Sequence, residues 1–274
     1  MIEMNEAQRL AEVGLNPALI LQELSKRGIE LPELRAYYEI DSTNKEARLY
    51  SAASSDKRTA VFIADGQTAG RGRRGRSFCS PHGVGLYMSF LLYPEGAIGN
   101  FTSITTYTAV AVCRAIERIC GLHADIKWVN DIYYKGRKLG GILTEGALSG
   151  DMVTAEQVVV GIGLNVLRCG LPDGLSDIAV SLEEACGKRI DRNLLIAEII
   201  YELLGGLGSL GSHAVLEEYR RRSFLVGRDI TVHRLDRSYP ARVLGIGDDM
   251  SLRIRLSDGS EEKLITGEVS VRER

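Results

Sequence analysis

Apolar positions change their spacing three times along the 274-residue chain. Through residues 1–35 they follow short helical turns. Leu19, Ile20, Leu24 and Ile29 give part of a stripe, Pro17 suits a first helical turn, and Pro32 closes the stretch. From Tyr37 to about Val166, short apolar runs at 60–64, 85–93, 126–134, 141–144 and 158–166 alternate with glycine-rich turns. Their length and β-branched content predict strands. Residues 101–120 break that rhythm. Ala109, Cys113, Ile116 and Cys120 recur at helical spacing with Arg114, Glu117 and Arg118 between them, which predicts an amphipathic helix laid on a sheet. Further helices are predicted over 44–50, 193–204 and 213–222, the second of them stopped by Gly205-Gly206. Beyond Phe224, short runs at 229–234, 241–246, 252–256 and 262–265 are separated by the turn signals Gly247-Asp248-Asp249 and Asp258-Gly259.

This pattern predicts an α+β protein in three parts. Residues 1–36 form a short helical extension, 37–223 a mixed sheet with packed helices, and 224–274 a small β-barrel of SH3 type. Composition removes several functions. Lys plus Arg is 34 and Asp plus Glu is 36, a net charge of -2, whereas a dedicated nucleic-acid binder usually carries a basic excess. No apolar stretch reaches the ~18 residues of a membrane helix. The start, MIEMNEAQRL, lacks the basic-then-apolar order of a signal peptide, so a cytoplasmic protein is expected. The five cysteines, Cys79, Cys113, Cys120, Cys169 and Cys186, have no C-x-x-C spacing, which argues against zinc and a disulfide framework. Cys113 and Cys120 read as buried thiols on one helix face. Cys79 follows an arginine-rich loop and is the alternative nucleophile.

That loop is the most unusual local sequence: GQTAGRGRRGR, residues 66–76. Arg71, Arg73, Arg74 and Arg76 are interleaved with Gly70, Gly72 and Gly75. Clustered cations repel unless an anion joins them, and glycines let backbone N–H groups approach a ligand. The loop reads as a mobile anion cradle, as a solvated basic loop, or as a nucleic-acid contact. It is not a Walker A loop. A second segment, KWVNDIYYKGRKLGGIL at 127–143, reads as strand, turn at Lys135-Gly136, strand. Asp131 can hold Mg²⁺ and Lys138 can reach a carboxylate or phosphate. Equally, Asn130 and Asp131 are turn formers and Lys138 an exposed strand residue. A third, VVVGIGLN at 158–165, runs a buried strand into Gly161, Gly163 and Asn165. The fourth, DSTN at 41–44, is by capping chemistry a helix N-terminus whose hydroxyls can also meet a polar ligand.

Taken in order, DSTN, GQTAGRGRRGR, KWVNDIYYKGRKLGGIL and GIGLN resemble the biotin protein ligases from about Tyr38 to the C-terminus. The arginine loop and RKLGGIL are the specific parts. The resemblance implies that biotin and ATP give biotinoyl-5′-AMP and pyrophosphate, with Mg²⁺, and that biotin then passes to a lysine of a biotin carboxyl carrier protein domain such as that of acetyl-CoA carboxylase. It implies Arg73 and Lys138 as catalytic residues. Ser42, Thr43, Gln67, Gly70, Arg71 and Lys138 would hold biotin. Arg73, Arg76, Phe78, Asn130, Lys138 and Asn165 would contact ATP, with Asp131 a candidate for the metal. Residues 168–181 would fold over the adenylate, with Val180 covering the adenine. Regulatory members carry an N-terminal winged helix, for which residues 1–35 are too short, so a ligase without DNA binding is expected. Pairing into a homodimer through sheet edges stays open. Two positions depart from the family pattern: Val129 stands for the usual Pro, and Phe78 for the usual Trp. The alternatives are a lipoate–protein ligase and, from another class, an RNA-binding module using the Arg/Gly loop.

Overall fold

A computed structural model describes residues 5–93, 101–148, 155–168, 174, 177–234, 237–265 and 267–271. Two short helices open it, α1 (Glu6–Glu12) and α2 (Pro17–Ser25). Asn5 and Asn16 cap them, and Pro17 occupies the first turn of α2, where its missing N–H costs no hydrogen bond. The strand β1 (Glu33–Ile40) follows, then α3 (Thr43–Ala53), β2 (Ala60–Gln67) and β3 (Gly85–Leu92). The long helix α4 (Phe101–Cys120) leads into β4 (Asp125–Lys127), β5 (Asp131–Tyr134), β6 (Arg137–Leu148) and β7 (Ala155–Asn165). Three helices come next: α5 (Leu182–Cys186), α6 (Arg192–Gly205) and α7 (His213–Arg222).

The seven strands form one mixed sheet in the order β1-β2-β3-β7-β6-β5-β4. Only β1 and β2 run parallel, because α3 carries the chain back between them. Alternation along the central strands splits the core in two. Phe62, Leu91 and Val159 point to α3 and pack with its Ala47, while Val61, Ile63, Phe90 and Val160 point the other way, into the main core. There α4 lies between the sheet and the pair α6 and α7. It is therefore buried on more than the single stripe its spacing predicts. Its inner threonines return their hydroxyls to the preceding turn, as Thr108 Oγ1 does to Ile104 O at 2.8 Å. Its charges also pair with the neighbouring helix: Arg114 bonds Glu218 at 2.5 Å and Glu117 bonds Arg222 at 2.7 Å, both on α7. No described helix is long and apolar enough to cross a membrane.

The helical N-terminus is not peripheral. Leu10, Leu15, Ile20 and Leu24 are buried in the main core, and β1 begins at Glu33, ahead of the boundary expected at residue 37. Asn193 of α6 ties the link between α1 and α2, accepting from Asn16 N at 2.8 Å and donating to Gly14 O at 2.9 Å. Ile20→Ala should therefore lower global stability by about 2–5 kcal/mol in urea unfolding, within one transition. A loss below ~0.5 kcal/mol would make these helices an appendage.

The C-terminal strands β8 (Asp229–His233), β9 (Ser238–Ile246), β10 (Leu252–Leu256), β11 (Glu261–Leu264) and β12 (Glu268–Val271) form a second antiparallel sheet in the order β11-β10-β9-β8-β12. This matches the SH3-like barrel the turn signals predict, with β12 as an added strand. Trp128 joins the two sheets by donating its indole N–H to Met250 O at 2.9 Å.

Candidate active site

A cavity of about 180 Å³ opens where α3, the two sheets and the arginine loop meet. One end is a polar shelf. Ser42 is the N-cap of α3, yet its side chain makes no capping bond, contrary to the plain capping expectation, so its hydroxyl stays on the cavity wall. Thr43 N donates to Gln67 Oε1 at 2.9 Å, and Gln67 Nε2 donates to Ser80 Oγ at 3.0 Å. Ser89 Oγ donates to Asn44 Oδ1 at 2.6 Å, and Asn44 Nδ2 donates to Glu145 Oε2 at 2.7 Å. This web fixes the shelf from behind. Met88, Ile162, Gly161 and Gly163 line an apolar floor. A Cβ on Gly161 would stand 2.2 Å from Asn44 Oδ1, and one on Gly163 would stand 2.5 Å from the Phe78 ring, so packing demands glycine at both.

The arginine loop is a tight hairpin. Phe78 N donates to Gly70 O at 2.9 Å and Gly72 N to Arg76 O at 2.7 Å, with Arg74 and Gly75 at φ 56° and 73°. Gly70 sits under the return arm, where a Cβ would meet Phe78 O at 2.4 Å. The tip reaches the second sheet: Arg76 is bidentate to Glu268, at 2.6 and 2.7 Å. Arg73 turns inward and donates to Asn130 Oδ1 at 2.8 Å. Burial lowers its pKa, Asp131 opposes that, and neighbouring Arg74 adds to it.

Cations line the opposite wall. Lys138 on β6 donates to Asp131 Oδ1 at 2.8 Å. The strands β5 and β6 bring them together, since Asp131 pairs with Gly141, whose missing side chain leaves room for both. Asn130 Nδ2 donates to Ile142 O at 2.9 Å, which fixes the side chain that receives Arg73. Lys127 on β4 also lines the cavity, its pKa lowered by burial with Asp131 opposing.

Ser42, Thr43, Gln67, Arg71, Arg73, Arg76, Phe78, Asn130, Asp131 and Lys138 thus share one cavity wall. Gly70 and Asn165 stand behind it, Asn165 Nδ2 donating to Lys138 O at 3.4 Å. Val180 does not line the cavity. It is wholly buried in the core, its N–H donating to Lys138 O at 3.0 Å, so its apolar side chain is already spent on packing. The rest of the expected closing segment, 169–173 with 175 and 176, lies outside the described residues, as does Cys169. Cys79 is exposed and absent from the cavity wall, and burial pushes the Cys113 and Cys120 thiols up to about 12. Sequence reasoning missed Asn44, Lys127 and Glu268. The first two sit inside motifs already noticed, whereas a carboxylate on a distant sheet leaves no local signal.

Residues 37–165 match the model of the Biotin/lipoate A/B protein ligase family. The chain is 36% identical over 228 residues to the bifunctional ligase/repressor BirA of Bacillus spizizenii, covering 80% of this chain and 68% of that protein. The chain belongs to the biotin/lipoate protein ligase family. It is also similar to the biotin–[acetyl-CoA-carboxylase] ligase of Mycobacterium tuberculosis, at 27% identity over 221 residues covering 78% of this chain and 79% of that one. Among solved structures it is similar to the biotin protein ligase from Aquifex aeolicus in complex with biotin and ATP, with a TM-score of 0.74, 27% identity, and coverage of 89% of this chain and 100% of that one.

The ligase site offers no cage for a resident metal. Among the described residues no three His, Cys, Asp or Glu side chains stand together, and Asp131 Oδ1 already receives Lys138 and Asn130. This donor set fits a hard cation that arrives on phosphate oxygens and borrows at most one protein carboxylate.

Proposed function

We propose that this chain is a biotin–protein ligase. It joins biotin to ATP as biotinyl-5′-AMP with release of pyrophosphate, then transfers biotin to a lysine of a biotin carboxyl carrier protein domain. One observation carries the reading: a single cavity joins a hydrogen-bonding shelf, over an apolar floor, to a cluster of cations. Biotin has the matching parts, with a ureido head for Ser42, Thr43 and Gln67, a hydrocarbon chain for Met88 and Ile162, and a carboxylate for Arg71 and Lys138.

In the first half-reaction a carboxylate oxygen attacks the α-phosphorus of ATP, forming a P–O bond as the bond to pyrophosphate breaks. Both reactants are anionic, so they must be neutralised and aligned. Arg73 and Lys138 supply fixed charge where negative charge builds, and Lys127 adds a third cation. Asp131 would be the protein contact of a Mg²⁺ carried by the nucleotide, and that cation would neutralise the leaving pyrophosphate. In the second half-reaction the neutral amine of the carrier lysine attacks the acyl carbon, AMP leaves, and an amide remains. No protein nucleophile is needed, in keeping with cysteines that, among the described residues, are buried or off the cavity wall.

The shelf favours biotin over lipoate. A dithiolane ring has no hydrogen-bonding head, so the Ser42 hydroxyl, which makes no capping bond, would lack the partner that a ureido group offers. The inward Arg73 and the Glu268-bound Arg76 also count against an RNA surface. The deciding experiment is incubation with a carrier domain, ATP, Mg²⁺ and either acid. Mass spectrometry should show one biotinyl addition, and lipoyl addition alone would overturn the choice of acid. Biotin with ATP should also slow tryptic cleavage at residues 71–76. Unchanged cleavage would remove the hairpin from ligand binding.

A further inference from the structure

The return arm of the arginine hairpin runs to β3 through Ser80, Pro81, His82 and Gly83, and His82 is held on both sides. Its Nδ1 lies 3.0 Å from Asp65 Oδ2 on β2, and its Nε2 lies 2.8 Å from Glu39 Oε2 on β1. Its ring stacks on Tyr38 at 4.4 Å between centroids and 18° between planes. The fold has cleared space for it, since a Cβ on Gly66 would lie 2.6 Å from the ring. Asp65 is wholly buried. The oxygen that faces His82 also accepts from Gly83 N at 3.0 Å, and its other oxygen binds Arg192 of α6 at 2.7 Å. Behind Tyr38 stand two groups of α1: Glu6 accepts from Tyr38 N at 2.6 Å, and the Arg9 guanidinium lies 5.8 Å from the Tyr38 ring.

We propose that His82 is a positioning residue for this site: as an imidazolium between two carboxylates it clasps the return arm to the sheet, and the grip on biotin loosens when the ring loses a proton. The proposal rests on the ligase reading for its substrate and on the contacts above for its mechanism. A neutral imidazole has one N–H and one lone pair, whereas both ring nitrogens here face carboxylate oxygens and need two. Partial burial pulls the His82 pKa down, but the hydrogen bonds to Glu39 and Asp65 outweigh it and hold the pKa above the ordinary histidine value. The clasp is therefore complete below that ordinary value and is lost as pH rises through the raised one. Its effect has a route to the shelf. Ser80 stands two residues before His82 on the same arm, its Oγ accepts from Gln67 Nε2 at 3.0 Å, and Gln67 Oε1 accepts from Thr43 N at 2.9 Å.

The test pairs kinetics with NMR. The KM for biotin in ATP–pyrophosphate exchange is measured from about pH 6 to about pH 9, and the histidine ring signals are titrated over the same range. With four histidines in the chain, the signal lost in His82→Gln identifies the residue. The wild-type KM should rise with pH along the His82 titration, which should lie above the ordinary histidine value. His82→Gln should raise KM about two- to tenfold at the acid end, the scale of one or so hydrogen bonds, and remove the dependence. Glu39→Gln, an exposed site outside the cavity, should move both curves to lower pH. A His82 titration at or below the ordinary value, an unmoved curve in Glu39→Gln, or a wild-type KM profile retained by His82→Gln would each overturn the proposal. Absence of exchange at every pH would overturn the ligase reading instead, and the two NMR criteria would still judge the clasp.

Discussion

Alanine at Arg73 or at Lys138 lowers biotin-dependent ATP–pyrophosphate exchange by more than about 100-fold, the scale of removing one transition-state charge partner. In the proposed reaction the two cations would reach the reacting atoms from different elements. Arg73 comes down from the hairpin and is fixed by Asn130, while Lys138 stands on β6 and is fixed by Asp131. Neither replaces the other, so each loss should be nearly complete by itself. Lys138→Ala has a second cost, since it strips Asp131 of its cation beside an incoming anion. The loss should fall on kcat at saturating substrates, where a merely weaker grip would appear in KM. Arg73→Lys should fall between wild type and alanine, because it keeps charge but loses the planar fork that meets Asn130. Near-normal exchange in both alanine variants would remove the two residues from catalysis.

Asp65→Ala costs about 3–5 kcal/mol of folding stability, because it leaves a buried guanidinium without its anion. The Arg192 side chain is 4% exposed and Asp65 is fully buried, so water cannot replace the lost partner. Arg192 would keep its bonds to Gly85 O and Val13 O, but carbonyls do not neutralise a charge. The midpoint of thermal unfolding should fall on the order of 10 °C. The double variant Asp65→Ala with Arg192→Met should recover part of that loss, since no uncompensated charge remains. A single-variant loss within ~0.5 kcal/mol would mean that the pair is solvated in solution.

The elements that local sequence announced are those whose burial is one-sided or whose ends carry punctuation. Residues 101–120, 213–222 and 252–256 form α4, α7 and β10 with the predicted limits. The strand β1 escaped notice because ELRAYYEI mixes charges with aromatics and follows Pro32, a residue that reads as the end of a helical stretch. It becomes a strand because β2 offers it a parallel partner. Likewise β12 follows Gly267 near the chain end, and only pairing with β8 makes it regular.

The site divides in the same way. Ser42, Thr43, Gln67, Arg73 and Lys138 could be named from motifs because each sits in a short unusual run. What spacing cannot give is which charges neutralise which. Arg76 finds Glu268 across 192 positions, and His82 finds Asp65 and Glu39 across strands. Val180 shows the reverse error, where an apolar residue in a plausible place is used up by the core.

Trp128 is the only tryptophan in the chain, and it is 3% exposed on the cavity wall. Its indole donates to the second sheet while its chain neighbours Lys127 and Asn130 line the cavity. The protein therefore carries an intrinsic fluorophore at the junction of its two halves. Emission colour and quenching would follow cavity occupancy and separation of the halves without any attached dye, one photon source reading both events.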